Sequence, residues 1–483
     1  MTTRTAKNSA RLSALLAAAL LAGCASYSGI ESQARLRTPD AFGLPAGGAQ
    51  PSMPVSPAWW KDFGDAQLDR LVGQALDGSP NLKIARARVA RASAVLELAN
   101  AATVPQVEGS LEARRQRYTE NGAVPAPLAG SIRDTGTLQL GASWELDFFG
   151  RYAQALEAAI GASRAAEAEV EAARVLLASQ VTRSYFQLAR LQDQLQVARR
   201  TLAQREESLG LVRDRVRAGL DTTLELRQSE AGLPEARQQI EALQEQVQLT
   251  RNALAALVGR PDLQVEARSL ANARPVAVPS AIPADLLGRR PDITAARWRV
   301  EAATHDIESA KAQFYPNVNL SAFAGLSSIG LSRLLEAGSL QWGVGPAIHL
   351  PIFDAGRLRA NLRGKTADLD VAVESYNGTV LDAVHDVADQ VASSQSIARQ
   401  QVQQREAQAA AEGAYEIALQ RYKAGLGTFL NVLTAETAVL NQRRLGVDLA
   451  GRALDTQVQL MRSLGGGFQP DADTQRLATR TPS

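Results

Sequence analysis

The side chains that could carry covalent or acid–base chemistry are few in these 483 residues: one cysteine, Cys24, and three histidines, His305, His349 and His385. The histidines are isolated, no HxxxH-type or cysteine-containing metal set is present in the sequence, and no glycine-rich phosphate loop follows a strand. His385 and Asp389 stand four apart on an expected helix, a spacing that on a surface makes a solvated pair. His349 falls on the polar side of an alternating strand. Nothing assembles a nucleophile, a base and an oxyanion donor, so the expectation is a non-enzyme with no cofactor and no metal site. A single cysteine also excludes an intrachain disulfide framework, which leaves Cys24 one evident role, covalent modification.

The context of that cysteine specifies the modification. Basic Arg4, Lys7 and Arg11 precede an apolar run from Leu12 to Ala22, the pattern of a secretory signal and too short for a membrane span. The run ends in Leu21-Ala22-Gly23-Cys24, which resembles the bacterial lipobox, whose cysteine is acylated and becomes the first residue of the mature chain. Several acyl chains, at about 0.8 kcal/mol per buried CH₂, anchor a protein to lipid. Ala25 rather than Asp follows, which by resemblance to sorted lipoproteins points to the outer membrane. Lys and Arg number 52 and Asp and Glu 50. Removing Arg4, Lys7 and Arg11 leaves 49 basic against 50 acidic residues, so the mature body is near neutral and carries no nucleic-acid footprint. No other segment approaches 18 consecutive apolar residues; if the chain crosses a bilayer, it does so as a barrel.

These features must be carried by a duplicated chain. Pro80 aligned with Pro291 gives an ungapped match through Val107 and Val318, an offset of 211 that pairs Arg86 with Arg297, Glu97 with Glu308 and Pro105 with Pro316. Arg215-Val216-Arg217-Ala218-Gly219-Leu220 matches Arg421-Tyr422-Lys423-Ala424-Gly425-Leu426 at an offset of 206, which also pairs Gly150 with Gly356 and Gly259 with Gly465. The five-residue difference falls between Val107 and Gly150. The period is far too long for a solenoid unit, so one structural half is copied in tandem.

Each half predicts long helices and a pair of strands. Val181, Leu188, Leu195, Leu202, Leu209 and Val216 are seven apart, as are Leu226, Leu233, Ile240, Val247 and Leu254, and then Leu433, Leu440, Val447, Leu454 and Met461. This is the apolar period of a coiled-coil seam. From Tyr152 to Arg217 such a helix runs about 100 Å at 1.5 Å per residue. The strands alternate. Val107, Gly109, Leu111 and Ala113 interleave with Glu108, Ser110, Glu112 and Arg114, and Leu138 to Leu146, Val318 to Ala324 and Trp342 to Leu350 behave alike. Runs of about ten residues with one apolar and one polar face read as transmembrane β-strands. Phe148, Phe149, Tyr152, Phe314, Tyr315 and Phe353 gather at their ends as an expected interfacial girdle. Four strands cannot close a barrel, and an open edge in hydrocarbon costs several kcal/mol per unpaired group, so the chain is expected to assemble.

The repeat, the lipobox and two further motifs together resemble the TolC-like outer-membrane efflux proteins, in particular the lipoprotein branch containing OprM and the NodT-type channels. The motifs are Leu287-Gly288-Arg289-Arg290-Pro291-Asp292-Ile293 and Ala310-Lys311-Ala312-Gln313-Phe314-Tyr315-Pro316, within a resemblance that runs from Trp59 to Gly467. It implies an α+β membrane protein: a homotrimer whose chains each give four strands to a twelve-stranded β-barrel, carried on long α-helical coiled-coil hairpins that form a periplasmic tunnel. The divisions expected are a signal peptide 1–23, a lipid-anchored segment 24–58, a first repeat 59–259, a linker 260–284, a second repeat 285–467 and a tail 468–483. The implied role is passive export of drugs or other small solutes, with an inner-membrane pump of the RND type supplying energy and a periplasmic membrane-fusion adaptor joining the two. A conduit for type I protein secretion shares the fold, and a non-porous coiled-coil lipoprotein is the reading from a different class.

By resemblance, Arg217, Ala218, Gly219 and Leu220, with Lys423, Ala424, Gly425 and Leu426, form the hairpin tips that meet the adaptor. Leu430, Thr434 and Thr437 line the narrow periplasmic aperture. Relatives commonly carry Asp and Arg where Thr434 and Thr437 stand, so a charged ring or latch at those positions is not expected here; Glu436 is the one nearby acid that could supply negative charge.

Overall fold

The computed structural model describes residues 26–42, 55–273 and 286–470. Cys24, the signal segment, the linker beyond Ala273 and the tail beyond Pro470 lie outside the described residues. The main elements are α1 (Ala66–Gly78), α2 (Pro80–Ala101), β1 (Gln106–Arg117), β2 (Ile132–Leu146), α3 (Arg151–Arg217), α4 (Thr223–Val258), α5 (Pro291–Ala312), β3 (Asn317–Ile329), β4 (Leu340–His349), α6 (Arg357–Lys423) and α7 (Phe429–Ser463).

The duplication is visible in the element lengths. Helices α2 and α5 both have 22 residues, and α3 and α6 both have 67. The repeats do not divide the fold, however. The described parts of Met1–Leu36, Arg88–Ala166 and Ala296–Tyr376 make one compact unit, and those of Arg37–Ala87, Glu167–Ala295 and Asn377–Ser483 make the other. Each repeat contributes to both.

The first unit holds a four-stranded sheet in the order β1-β2-β3-β4, antiparallel throughout. Its register sorts the side chains by polarity, because directly paired residues share a face. Val107, Ala142, Ala322 and Val344 form one row, and Gly109, Leu140, Ala324 and Trp342 the next. The other face has Ser110, Gln139, Gly325 and Gln341 in a row, where Gln341 Nε2 donates to Gln139 Oε1 at 3.3 Å. Leu140, Trp342, Val344 and Ile348 are all strongly exposed, so the apolar face has no protein cover among the described residues. β1 and β4 are each paired on one side only.

Of the expected girdle, Phe148, Phe149, Tyr315 and Phe353 are exposed, and Phe149 stacks on Tyr315 with centroids 4.8 Å apart. Phe314 is a correction: it is buried with Ile307, Leu358 and Leu362, and Tyr27 packs edge-on against it at 5.6 Å. Tyr152 also turns inward, its hydroxyl donating to Glu145 Oε2 at 2.9 Å. The segment beyond Ser26 is tied to this unit: Arg359 donates to the carbonyls of Ser26 and Ser28, and Asp370 Oδ1 accepts from Ser32 Oγ at 2.6 Å and from the amides of Gln33 and Ala34.

The second unit is built around the heptads. Val181, Leu188 and Leu195 of α3 bury against Ile240, Val247 and Leu254 of α4, Leu454 and Met461 of α7, and the cluster Trp59, Phe63, Leu68 and Val72. Asp65 caps α1 by accepting from the amides of Gln67 and Leu68, and its second oxygen accepts from the buried Tyr185 hydroxyl at 2.6 Å. One carboxylate thus fixes α1 to α3.

The two faces of the sheet predict opposite responses to the same charge. Leu140→Arg, mid-strand on the apolar face, is expected to cost about 2–4 kcal/mol in lipid and to reduce the heat-resistant oligomer in a gel assay. Gly141→Arg, where an added Cβ meets only Glu108 Cγ at 3.7 Å and its carboxylate, is expected to assemble near normally. Equal loss from both substitutions contradicts a membrane barrel.

Candidate functional site

The two helical tips are built alike. α3 and α6 end on Gly219 and Gly425 in the left-handed region, at φ +72° and +74°. Leu220 N donates to Arg215 O at 2.9 Å and Leu426 N to Arg421 O at 2.8 Å, the six-residue bond that closes a helix C-terminus and satisfies an otherwise orphaned carbonyl. A Cβ added at either glycine meets nothing within 4 Å. Glycine is therefore set here by backbone conformation alone. Leu220 and Leu426 project into solvent, 65% and 70% exposed, and Arg217 pairs with neighbouring Asp214. Ala218, Lys423 and Ala424 are exposed as well. All eight tip residues expected from the sequence lie on these two turns.

The restarts of the helices differ. Thr222 and Glu225 form a reciprocal capping box at the start of α4, whereas Thr428 makes no side-chain cap at the start of α7. Residues Phe429, Val432, Glu436 and Val439 bury one side of α7, and Leu430, Thr434 and Thr437 stand on the other. Leu430 is 61% exposed. Both threonines bond back to their own helix, Thr434 Oγ1 to Leu430 O and Thr437 Oγ1 to Leu433 O, each at 2.9 Å. No charge occupies these three positions. Glu436 faces the other way: it is buried, and Arg205 Nε of α3 reaches its carboxylate at 3.4 Å while Nη1 bonds Gly232 O at 2.8 Å and Glu235 at 3.1 Å. Burial raises the Glu436 pKa, against the opposing pull of Arg205. The negative charge that sequence reading allowed beside the aperture is thus internal.

A charged cluster does exist, one turn away. Arg215 Nε donates to Asp221 Oδ2 at 2.9 Å and Nη2 to Oδ1 at 3.3 Å, and the Tyr422 hydroxyl donates to the same Oδ2. The Arg215 guanidinium lies over the Tyr422 ring, 4.6 Å from its centroid, in a cation–π contact. Tyr422 is 1% exposed and packs with Val212, Phe429 and Val432. Burial alone would raise the Asp221 carboxyl, but hydrogen bonds from Arg215 and Tyr422 prevail and hold it below its ordinary 3.8. Burial, then the bond to Asp221, pushes the Tyr422 phenol up. The first hairpin is thereby tied to the second at its tip. Sequence reading missed these residues although the repeat marks them: at offset 206, Val216 matches Tyr422 and Asp221 matches Gly427, the two changes of chemical character in a turn otherwise repeated but for Arg217 against Lys423.

The histidines do not join this site. His305 Nδ1 lies 2.7 Å from Gln154 Oε1, and His385 is an exposed partner of Asp389 at 3.3 Å. Among the described residues no three His, Cys, Asp or Glu side chains gather as a metal site, and no helix is long and apolar enough to cross a membrane.

Comparison with known proteins extends this picture over most of the chain. Residues 71–260 and 282–466 match the outer membrane efflux protein family. The multidrug resistance outer membrane protein MdtP of Escherichia coli K12 is 34% identical over 426 residues, 85% of this chain and 86% of its own. The fusaric acid resistance protein FusA of Burkholderia cepacia is 37% identical over 381 residues, 75% of this chain and 70% of its own. The outer membrane protein VceC of Vibrio cholerae superposes with a TM-score of 0.82 at 37% identity, covering 86% of this chain and all of that one, and the outer-membrane channel OprN gives 0.82 at 30%, covering 91% and 98%. On sequence and fold together, the chain belongs to the outer membrane efflux protein family.

Proposed function

We propose that this protein is the outer-membrane channel of a tripartite efflux system, passing drugs or other small solutes outward without catalysis of its own. The observation that carries the reading is the four-stranded sheet: one face is apolar and uncovered, both edges are open, and it is joined to helices of 67 residues. Unpaired strand edges do not persist in hydrocarbon. Three copies joined β4 to β1 give a closed barrel of twelve strands, an even number typical of outer-membrane barrels. The long helices of the three copies then continue the passage through the periplasm.

Energy comes from an inner-membrane pump of the RND type, and a periplasmic adaptor connects pump and channel. The adaptor docks on the tips, where Leu220 and Leu426 stand exposed beside the backbone that Gly219 and Gly425 leave open. Leu430, Thr434 and Thr437 form rings at the narrow end. Apolar packing of Leu430 and the tie between hairpins hold those rings closed: Asp221 cannot leave Tyr422 without stranding a buried hydroxyl, a loss of about 1–3 kcal/mol repeated three times in the trimer. Acylated Cys24, two residues before the strap that begins at Ser26, adds a lipid anchor to the barrel's own attachment.

Three outcomes test this reading. Gly219→Trp or Gly425→Trp is expected to abolish drug efflux from cells and cross-linking to the adaptor, while trimer yield and localisation stay normal; undiminished efflux with intact cross-linking refutes the tip assignment. In planar bilayers, Leu430→Ala and Tyr422→Phe are expected to raise resting conductance. A carboxyl held below 3.8 contributes fully above that pH and loses its contribution only as pH falls through the lower folded value. The wild-type channel should therefore stay at its resting conductance between about pH 5 and pH 7. Opening within that window moves the pH response from Asp221 to the Glu436 tie, whose carboxyl burial raises, and unchanged conductance in both variants locates the gate elsewhere. Mass spectrometry of the mature N-terminal peptide should find Cys24 lipid-modified, and a free, unmodified terminus at another residue removes the anchor.

A further inference from the structure

Well away from the tips, α3 presents a second built surface. Its core side carries Val181, Tyr185, Leu188 and Leu195, and its opposite side carries Gln180, Arg183, Gln187 and Arg190. That opposite side, with Leu249 and Leu257 of α4 and Arg452 and Asp455 of α7, bounds an open groove of about 730 Å³. Three guanidiniums line it against one carboxylate. Arg183 is spent on Asp455, with bonds of 2.5 and 3.4 Å. Arg190 gives Nη1 to Asp448 at 2.9 Å, while its Nε is shielded from solvent and has no partner. Arg452 is exposed and makes no hydrogen bond or ion pair among the described residues.

The position of Arg190 is fixed by a glycine. A Cβ on Gly451 of α7 would lie 2.6 Å from Arg190 Cδ and 3.1 Å from its Cγ, so the arginine stem crosses α7 only because residue 451 has no side chain. A glycine inside a helix costs about 1 kcal/mol relative to alanine. Here it seats a cation. Beside these charges, Leu249 is 59% exposed and supplies an apolar wall. The groove therefore offers a free guanidinium, the positive charge of Arg190 beside it, and hydrocarbon within one site.

We propose that this groove binds amphiphilic organic anions, a carboxylate or sulfonate on an aromatic or aliphatic body, and that such anions are a substrate class of the channel. The proposal rests on the channel reading and takes the side of α3 opposite the core as the one that faces the water-filled passage. Arg452 engages the anionic head with charge-assisted bonds, and Leu249 meets the apolar body. Threefold repetition puts three such sites at one level of the tunnel.

Saturation-transfer NMR on the full-length trimer in detergent tests the site, with salicylate as the anionic probe and tyramine as a cationic aromatic of similar size. Salicylate should bind saturably and tyramine should not. Arg452→Glu should weaken salicylate by about tenfold or more, the loss of one charge-assisted contact, and Arg452→Lys should retain most of the affinity. Gly451→Ala, which displaces Arg190, should weaken binding while the trimer remains intact. Equal binding of tyramine, or unchanged salicylate affinity in Arg452→Glu, overturns the proposal. Conductance in planar bilayers is read separately, for this preparation and for Leu430→Ala and Tyr422→Phe: a trimer that conducts but does not bind salicylate refutes the groove alone, and one that passes no current even in both variants refutes the channel reading on which it rests.

Discussion

A strand edge left in hydrocarbon exposes amide and carbonyl groups that have no water to bond, at several kcal/mol for each group, and the architecture of this chain answers to that cost. Its sheet has four strands, antiparallel and in sequential order, with β1 and β4 open. Nothing in the chain's own described residues covers the apolar row that runs through Gly109, Leu140, Ala324 and Trp342. The edges demand other copies, and the apolar face demands lipid. The same copies that close the barrel bring the α3–α4 and α6–α7 hairpins together, so the passage and its narrow end are products of the closure. A residue such as Leu430, exposed on one chain, acquires its meaning only when it is repeated around an axis.

Duplication supplies the scaffold, and in the proposed gate the departures from it supply control. Two 67-residue helices and two tips with glycine at the same left-handed φ are copies. Control begins where the copies diverge: Val216 against Tyr422, and Asp221 against Gly427. Those divergent residues reach across to each other and, with Arg215, make a cluster whose members satisfy one another, Tyr422 buried and the two charged groups partly so. Arg205 with Glu436 makes a second tie between the hairpins, from α3 to α7. One tie reaches α6 through Tyr422 and the other reaches α7 through Glu436, so the first hairpin is joined to both helices of the second near the tips, and neither tie uses the threonines that stand on the exposed face of α7.

Much of the fold was legible in the residues because periodicity and repetition are local signals. The seven-residue spacing of Val181, Leu188 and Leu195 names the residues that become core, and the alternation from Val107 to Arg114 names a strand whose faces the register then confirms. The glycines at both tips were equally plain, since a helix end needs them. Phe314 was misassigned to an interface because an aromatic beside a strand end reads the same whether it faces lipid or a neighbouring helix. The Asp221 and Tyr422 contact joins residues 201 apart, and the burial of Glu436 depends on Arg205 reaching it from another helix. Such pairings have no periodic signature. They become visible only when the two halves are compared position by position and the mismatches are asked to explain themselves.

The account depends first on closure by other copies, and the native mass of the full-length protein extracted from the outer membrane in mild detergent tests it most directly. Twelve strands from four per chain predict a single species of three times the chain mass, persisting on dilution to the limit that the detergent allows. A stable, folded species of one chain mass would mean that the open edges of β1 and β4 are satisfied in some other way, and the channel built on their pairing would not exist.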